Sequence, residues 1–190
     1  MSTVSRFARR SRRRTVVGLA LAASVALSAV VSIGAASAAV KEPSSTPTSD
    51  APHCLTRVTG KLASGELQLS TPQCYATYAD VLLRAGVPAV EKTVGGGGAV
   101  ALGGTWIIGT HFDGANFTGA SISVQGSDCN GGYINLTGWW ANRVSSTLNG
   151  CPTVRHFYWP NLGGTSEDTT GYGGNLFSLS NLSESIAYLG

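Results

Sequence analysis

Three histidines, an acidic pair and four cysteines are the residues here that could do chemistry. His53, His111 and His156 are the only histidines. His111 opens the stretch His111-Phe112-Asp113-Gly114-Ala115-Asn116-Phe117-Thr118-Gly119, and His156 opens His156-Phe157-Tyr158-Trp159-Pro160-Asn161-Leu162-Gly163-Gly164, 45 positions later. Equivalent places in a repeat point to a shared structural role rather than to a general base. Glu167 and Asp168 are adjacent, and on a strand neighbours face opposite sides, so they cannot work as an acid/base pair. The chain has no Gly-x-Ser-x-Gly elbow, no His-Glu-x-x-His and no lone cysteine. The sequence therefore reads as non-enzymatic.

The repeat must be positioned by the fold. In each copy two apolar side chains five apart, Phe112 and Phe117, then Phe157 and Leu162, bracket a polar stretch, and Gly119 or Gly164 follows one residue on. A chain folding back over its own strand brings those apolar positions together. It then needs φ > 0 at the reversal, which Gly takes without a Cβ penalty. Ser146 and Ser185 fall late in each unit, where a hydroxyl can bond the exposed backbone of the folded hairpin. A period of this length marks one supersecondary unit used twice.

From Thr105 onward, short apolar runs alternate with Gly, Asn, Asp and Ser, as in an all-β sandwich or barrel. Upstream, Leu55–Thr59 and Glu66–Ser70 alternate as half-buried strands with a turn over Gly60 to Gly65. Thr77 to Gly86 reads as a short helix, with Thr77 as N-cap, Asp80 in the first turn and Gly86 as the left-handed stop. Gly95 to Gly98 reads as a hinge rather than a phosphate loop, since no Lys-Ser/Thr follows.

The formal net charge of +3 is carried by the N-terminus: Arg6, Arg9, Arg10, Arg12, Arg13 and Arg14 precede an apolar run from Val16 to Ile33 and a small-residue site at Ala36-Ser37-Ala38-Ala39. That is the pattern of an export signal, with the Sec or twin-arginine route open. Residues 39 to 190 hold seven Lys/Arg against ten Asp/Glu, near −3, which leaves no basic footprint for nucleic acid. No second span follows, so no membrane association is expected after cleavage. The expected organisation is signal peptide 1–38, flexible spacer 39–53, a small disulfide-stapled hairpin-helix unit 54–94, Gly-rich hinge 95–104, and a β domain 105–190. Cys54, Cys74, Cys129 and Cys151 suit an oxidising compartment. Three pairings are open to them. Local pairing, Cys54 with Cys74 and Cys129 with Cys151, keeps each bridge inside one unit.

With these residues in view, the chain resembles the βγ-crystallin fold of bacterial secreted proteins. That motif is an aromatic, four residues, an aromatic, any residue, Gly, and later a Ser. Phe112, Phe117, Gly119 and Ser146 meet it, and Phe157, Leu162, Gly164 and Ser185 meet it with Leu for an aromatic. The resemblance covers about residues 105 to 190 and implies a mainly β architecture: two Greek-key motifs in a βγ-crystallin-like sandwich, preceded by the small hairpin-plus-helix unit. It also implies two functional expectations. Microbial members bind Ca²⁺ through an Asn/Asp, Asn/Asp, any, any, Ser/Thr, Ser segment. Here the matching stretches are Ala141–Ser146 and Ser180–Ser185, giving Asn142, Ser145 and Asn181 as candidate ligands. Ala141 and Ser180 depart at the first position and Glu184 replaces a hydroxyl, so the sites should be weak or lost. A secreted actinobacterial chain of this shape is also similar to the crystallin-type peptidase inhibitors, whose partner would be an extracellular protease. Rigid exposed loops serve that role, and Trp139-Trp140 reads as an exposed aromatic pair suited to an interface or as core.

Overall fold

The computed structural model describes residues 44–87 and 104–190. The signal peptide 1–38, residues 39–43 of the spacer, 88–94 of the small unit and the hinge through residue 103, Gly95 to Gly98 included, lie outside the described residues. The second repeat unit begins at β8 (Thr153–Trp159) and continues through β9 (Gly163–Thr170), β10 (Gly173–Asn175) and β11 (Ser185–Leu189); the first uses β4 (Trp106–Phe112), β5 (Ser121–Gly126), β6 (Asn130–Asn135) and β7 (Ser146–Asn149). Each unit gives its third strand to the other's sheet. One sheet runs β10-β7-β4-β5 and the other β6-β11-β8-β9, so both have the order third, fourth, first, second. This is a double Greek-key sandwich with a pseudo-twofold relation between its halves.

The alternation of apolar residues sets which face is buried. Ile122 and Val124 from β5, Ile134 from β6, Val154 from β8 and Ile186 and Tyr188 from β11 meet between the sheets, with Ile108, Val144 and Leu176. Burying one such side chain stabilises by about 1.5–3 kcal/mol.

The first sheet does not end at β5. Strand β1 (His53–Lys61) lies parallel to β5, pairing Cys54 with Ile122 and Thr56 with Val124. On its other side β1 pairs with β2 (Leu67–Leu69) and β3 (Gln73–Tyr75), and Cys54 is bonded to Cys74 across β1 and β3. The hairpin turn falls at Leu62 to Glu66 and Gly60 sits within β1, at a register shift between Val58 and Gly60. Helix α1 (Tyr78–Arg84) has Thr77 Oγ1 accepting from Asp80 N at 3.1 Å, and Gly86 takes φ +73°. Val81, Ala85 and Val87 pack with Leu55 into a second small core. The N-terminal unit thus adds strands to the first sheet and lays a helix against it.

Part of the stretch read as spacer is bonded to the sheet as well. Ser44 O accepts from Cys74 N, and Thr48 and Ala51 exchange backbone bonds at 3.2 Å. Among the described residues no helix is long and apolar enough to cross a membrane.

Candidate functional site

The strand order brings the two repeated hairpin tips and the two closing segments into equivalent settings. At the first tip, Asn116 and Phe117 both have positive φ (55° and 60°), as do Asn161 and Leu162 at the second (55° and 62°). Two consecutive left-handed residues make the reversal whose twist matches that of the flanking strands. Phe and Leu are costly there, since only Gly, Asn and Asp visit this region readily. Gly119 (φ +77°) and Gly164 (φ +76°) follow, as the sequence required. Phe112 and Phe117 meet edge-to-face at 5.9 Å between ring centres.

Each strained tip is clamped twice. Ser146 Oγ accepts from Phe117 N at 2.9 Å and donates to Gly114 O at 2.6 Å; Ser185 Oγ accepts from Leu162 N at 3.0 Å and donates to Trp159 O at 2.7 Å. Both serines are fully buried. The second clamp comes from the opposite unit. Asn175 on β10 accepts from Asn116 N through Oδ1, and Asn135 on β6 does the same for Asn161 N at 2.8 Å. Sequence reasoning missed both asparagines. The dipeptide Asn-Leu occurs at 135–136, 161–162, 175–176 and 181–182, so it does not single them out.

His111 and His156 are absorbed into the core, while His53 is half-buried. His111 Nδ1 stands 3.1 Å from Thr147 Oγ1 and its Nε2 3.0 Å from Tyr188 OH, while His156 Nε2 lies 3.0 Å from the same Thr147 oxygen. The chain Tyr188–His111–Thr147–His156 crosses from one sheet to the other and back. Burial holds both imidazoles neutral: it pushes His111 well below its ordinary value, helped by His156, and lowers His156 to about 4 against the raising effect of Glu167 and Asp168. His53 Nδ1 meets Ser121 Oγ at 2.9 Å, and burial lowers its pKa. The acidic pair also separates. Glu167 accepts from Phe177 N, Leu179 N and Ser178 Oγ; these bonds outweigh its partial burial and lower its pKa. Asp168 takes Arg155 through both oxygens at 2.6 and 2.8 Å. Every candidate catalytic group has a structural partner, and the arrangement is one for structure and binding.

The closing segments meet each other. Asn142 N donates to Ser183 O at 3.1 Å and Asn181 N to Val144 O at 2.9 Å, a reciprocal pair about the pseudo-twofold axis. Asn142 and Asn181 both have positive φ, 57° and 58°. Of the candidate calcium ligands, Asn142 donates its Nδ2 to Glu184 Oε1 at 2.8 Å, and Ser145 Oγ accepts from Ser180 Oγ at 3.2 Å. Ca²⁺ needs six to eight hard oxygens. Ala141 offers no side-chain oxygen, and among the described residues no three His, Cys, Asp or Glu side chains gather. Two of the three candidate ligands are bonded within the closing segments.

Of the aromatic pair, Trp140 is buried and joins the core, while Trp139 is half-buried with the Arg143 guanidinium 4.4 Å from its ring centre. Trp140 is therefore core: it ends a short 3-10 turn, Gly138–Trp140, and packs with the residues between the sheets. The most exposed aromatics lie elsewhere, at Phe177, Tyr172 and Trp159 among the described residues. Trp159, at the second hairpin tip, is 54 % exposed. The second disulfide, Cys129–Cys151, ties the loop after β5 to the loop before β8.

No protein-family model matches the sequence, and comparison with curated proteins finds no relative. Among solved structures, the chain is similar to a double mutant of a βγ-crystallin domain from Clostridium beijerinckii, at 20 % identity and a TM-score of 0.35, covering 42 % of this chain and 92 % of that one. It is similar also to a βγ-crystallin domain from Flavobacterium johnsoniae, at 22 % identity and a TM-score of 0.33, over 42 % of this chain and 91 % of that one.

Proposed function

We propose that this is a secreted, non-enzymatic binding protein that inhibits an extracellular peptidase. The observation that carries this reading is the double clamp on each hairpin tip. Positive-φ residues that a free loop would abandon are held by a buried serine from the same unit and an asparagine from the other. A loop fixed in this way loses little conformational freedom when a partner closes on it, and inhibition by occupancy depends on that saving. The Cys129–Cys151 bridge and the network through Thr147 stiffen the sandwich beneath the tips. The reading needs neither a metal nor a catalytic group.

The test is a titration of residues 39–190 against a set of secreted serine and metallopeptidases. Activity of at least one should fall linearly to a stoichiometric end point, and for a serine peptidase EDTA should leave the curve unchanged. Full activity of every peptidase at a molar excess of the protein would refute the reading.

A further inference from the structure

The two repeats act as an internal control on the hairpin tips. Trp159 occupies the place of Gly114, 45 positions earlier. Both residues do the same structural work with their backbone alone: each carbonyl accepts the hydroxyl of the closing serine, at 2.6 Å for Gly114 and 2.7 Å for Trp159. Glycine suffices for the clamp, so the indole is surplus to it.

The indole is nevertheless held in place. A Cβ on Gly164 would fall 2.6 Å from Trp159 Cδ1 and 3.2 Å from Nε1, so the pyrrole edge of the indole lies close against Gly164. Gly163 leaves similar room, with a Cβ there meeting that of Trp159 at 3.0 Å. The counterpart of Gly163 is Thr118, whose Oγ1 would stand 2.4 Å from a Cβ on Gly114, so the first tip has no space for a side chain at that position. Tyr158 braces the indole edge-on, with ring centres 4.6 Å apart. Pro160 follows with a fixed φ, and its carbonyl accepts from Gly163 N at 3.2 Å to close the turn. A large aromatic that is braced by its neighbours yet 54 % exposed has little rotamer entropy left to lose, and tryptophan leads the residues that anchor protein interfaces.

We propose that Trp159 is the anchor of the inhibitory surface, seating its indole in the primary apolar pocket of a peptidase that selects large aromatic side chains. This rests on the inhibitor reading and names the class of target. A pocket of that kind is an apolar slot, as in chymotrypsin, whereas an aspartate at its base selects Lys and Arg, as in trypsin. Residues 158–160 then supply a planar side chain between a braced tyrosine and a proline whose nitrogen carries no hydrogen.

The experiment compares inhibition of chymotrypsin and of trypsin by the full mature chain and four variants, each checked for an unchanged thermal melt. The wild type should inhibit chymotrypsin and not trypsin. Trp159→Phe should retain inhibition within a few-fold, Trp159→Ala should weaken it by at least about 30-fold, and Trp159→Lys should transfer inhibition to trypsin. Phe177→Ala removes the most exposed aromatic, at 86 %, and should change nothing. If chymotrypsin is inhibited equally by wild type and Trp159→Ala, or if Phe177→Ala abolishes inhibition, the anchor is misassigned while the inhibitor reading stands. If the wild type inhibits only peptidases of other specificity, the target class is wrong. If it inhibits neither enzyme, the target class is wrong, and the inhibitor reading falls with it only if the titration against the wider set of serine and metallopeptidases also leaves every enzyme fully active.

Discussion

Asn135 reaches from the first Greek key to the hairpin tip of the second and grips Asn161 at two points: its Oδ1 accepts from Asn161 N at 2.8 Å, and its Nδ2 donates to Asn161 Oδ1 at 2.9 Å. Asn175 and Asn116 make the reciprocal contact, with Asn175 Nδ2 to Asn116 Oδ1 at 2.9 Å. Each unit therefore fixes the strained tip of its partner, and the sandwich is held at its ends as well as through its core. The serine clamp lies deeper than the asparagine clamp, and that difference in burial ranks their energies.

Replacing Ser146 or Ser185 with Ala leaves a tip N–H and a tip carbonyl unpaired where water has poor access, and should cost about 2–4 kcal/mol. Replacing Asn135 or Asn175 with Ala exposes the orphaned amide to water and should cost about 1 kcal/mol. Denaturant midpoints measured on the four variants check the order. Asparagine variants that are less stable than the serine variants would overturn it.

Acid should destabilise the fold through the buried histidines. An unfolded His156 binds a proton near 6.5, whereas in the fold it does so only at about 4, so the unfolded state holds more protons in that interval and stability falls as pH drops through it. For His156 alone the full effect is on the order of 3 kcal/mol, since each pKa unit is about 1.4 kcal/mol. His111, pushed down in the same direction, adds to the loss. Glu167 and Asp168, whose folded pKa values are lowered, contribute stability present above their unfolded values and lost as they protonate below them. Urea unfolding at pH 7.5 and pH 4.5 measures the sum. A midpoint that does not fall at the lower pH would contradict the assignment of both rings as neutral.

Calcium should be without effect on the melt. A ligand that binds only the folded state raises the midpoint by mass action, and the closing segments commit Asn142 to Glu184 and Ser145 to Ser180. Melts of residues 39–190 in EDTA and in excess Ca²⁺ should superimpose. A rise of several degrees would mean that Asn142, Ser145 and Asn181 still assemble a site despite Ala141.

What the sequence made legible was local or repeated. Phe112, Phe117, Gly119 and Ser146 lie within one unit and recur as Phe157, Leu162, Gly164 and Ser185, so a turn needing φ > 0 and a hydroxyl to close it could be read from spacing. The helix start at Thr77 and stop at Gly86 were likewise written in capping residues. The parallel pairing of β1 with β5 joins residues 68 apart. No turn or period encodes such a pairing, because parallel neighbours need a long crossover. Trp140 was ambiguous for a different reason: adjacent tryptophans in a short turn point to different sides, and only the closing of the sandwich decides which is buried. The contrast of Trp159 with Gly114 was visible once the repeats were aligned, but its meaning required knowing that both carbonyls make the same bond.

The most direct test of the inhibitor account is to mix residues 39–190 with an equimolar aromatic-selective serine peptidase, separate the products by gel filtration, and weigh the chain by mass spectrometry. The account predicts a one-to-one complex in which the Trp159–Pro160 bond is intact after prolonged incubation. Free peptidase eluting beside an unbound or cleaved chain would contradict it.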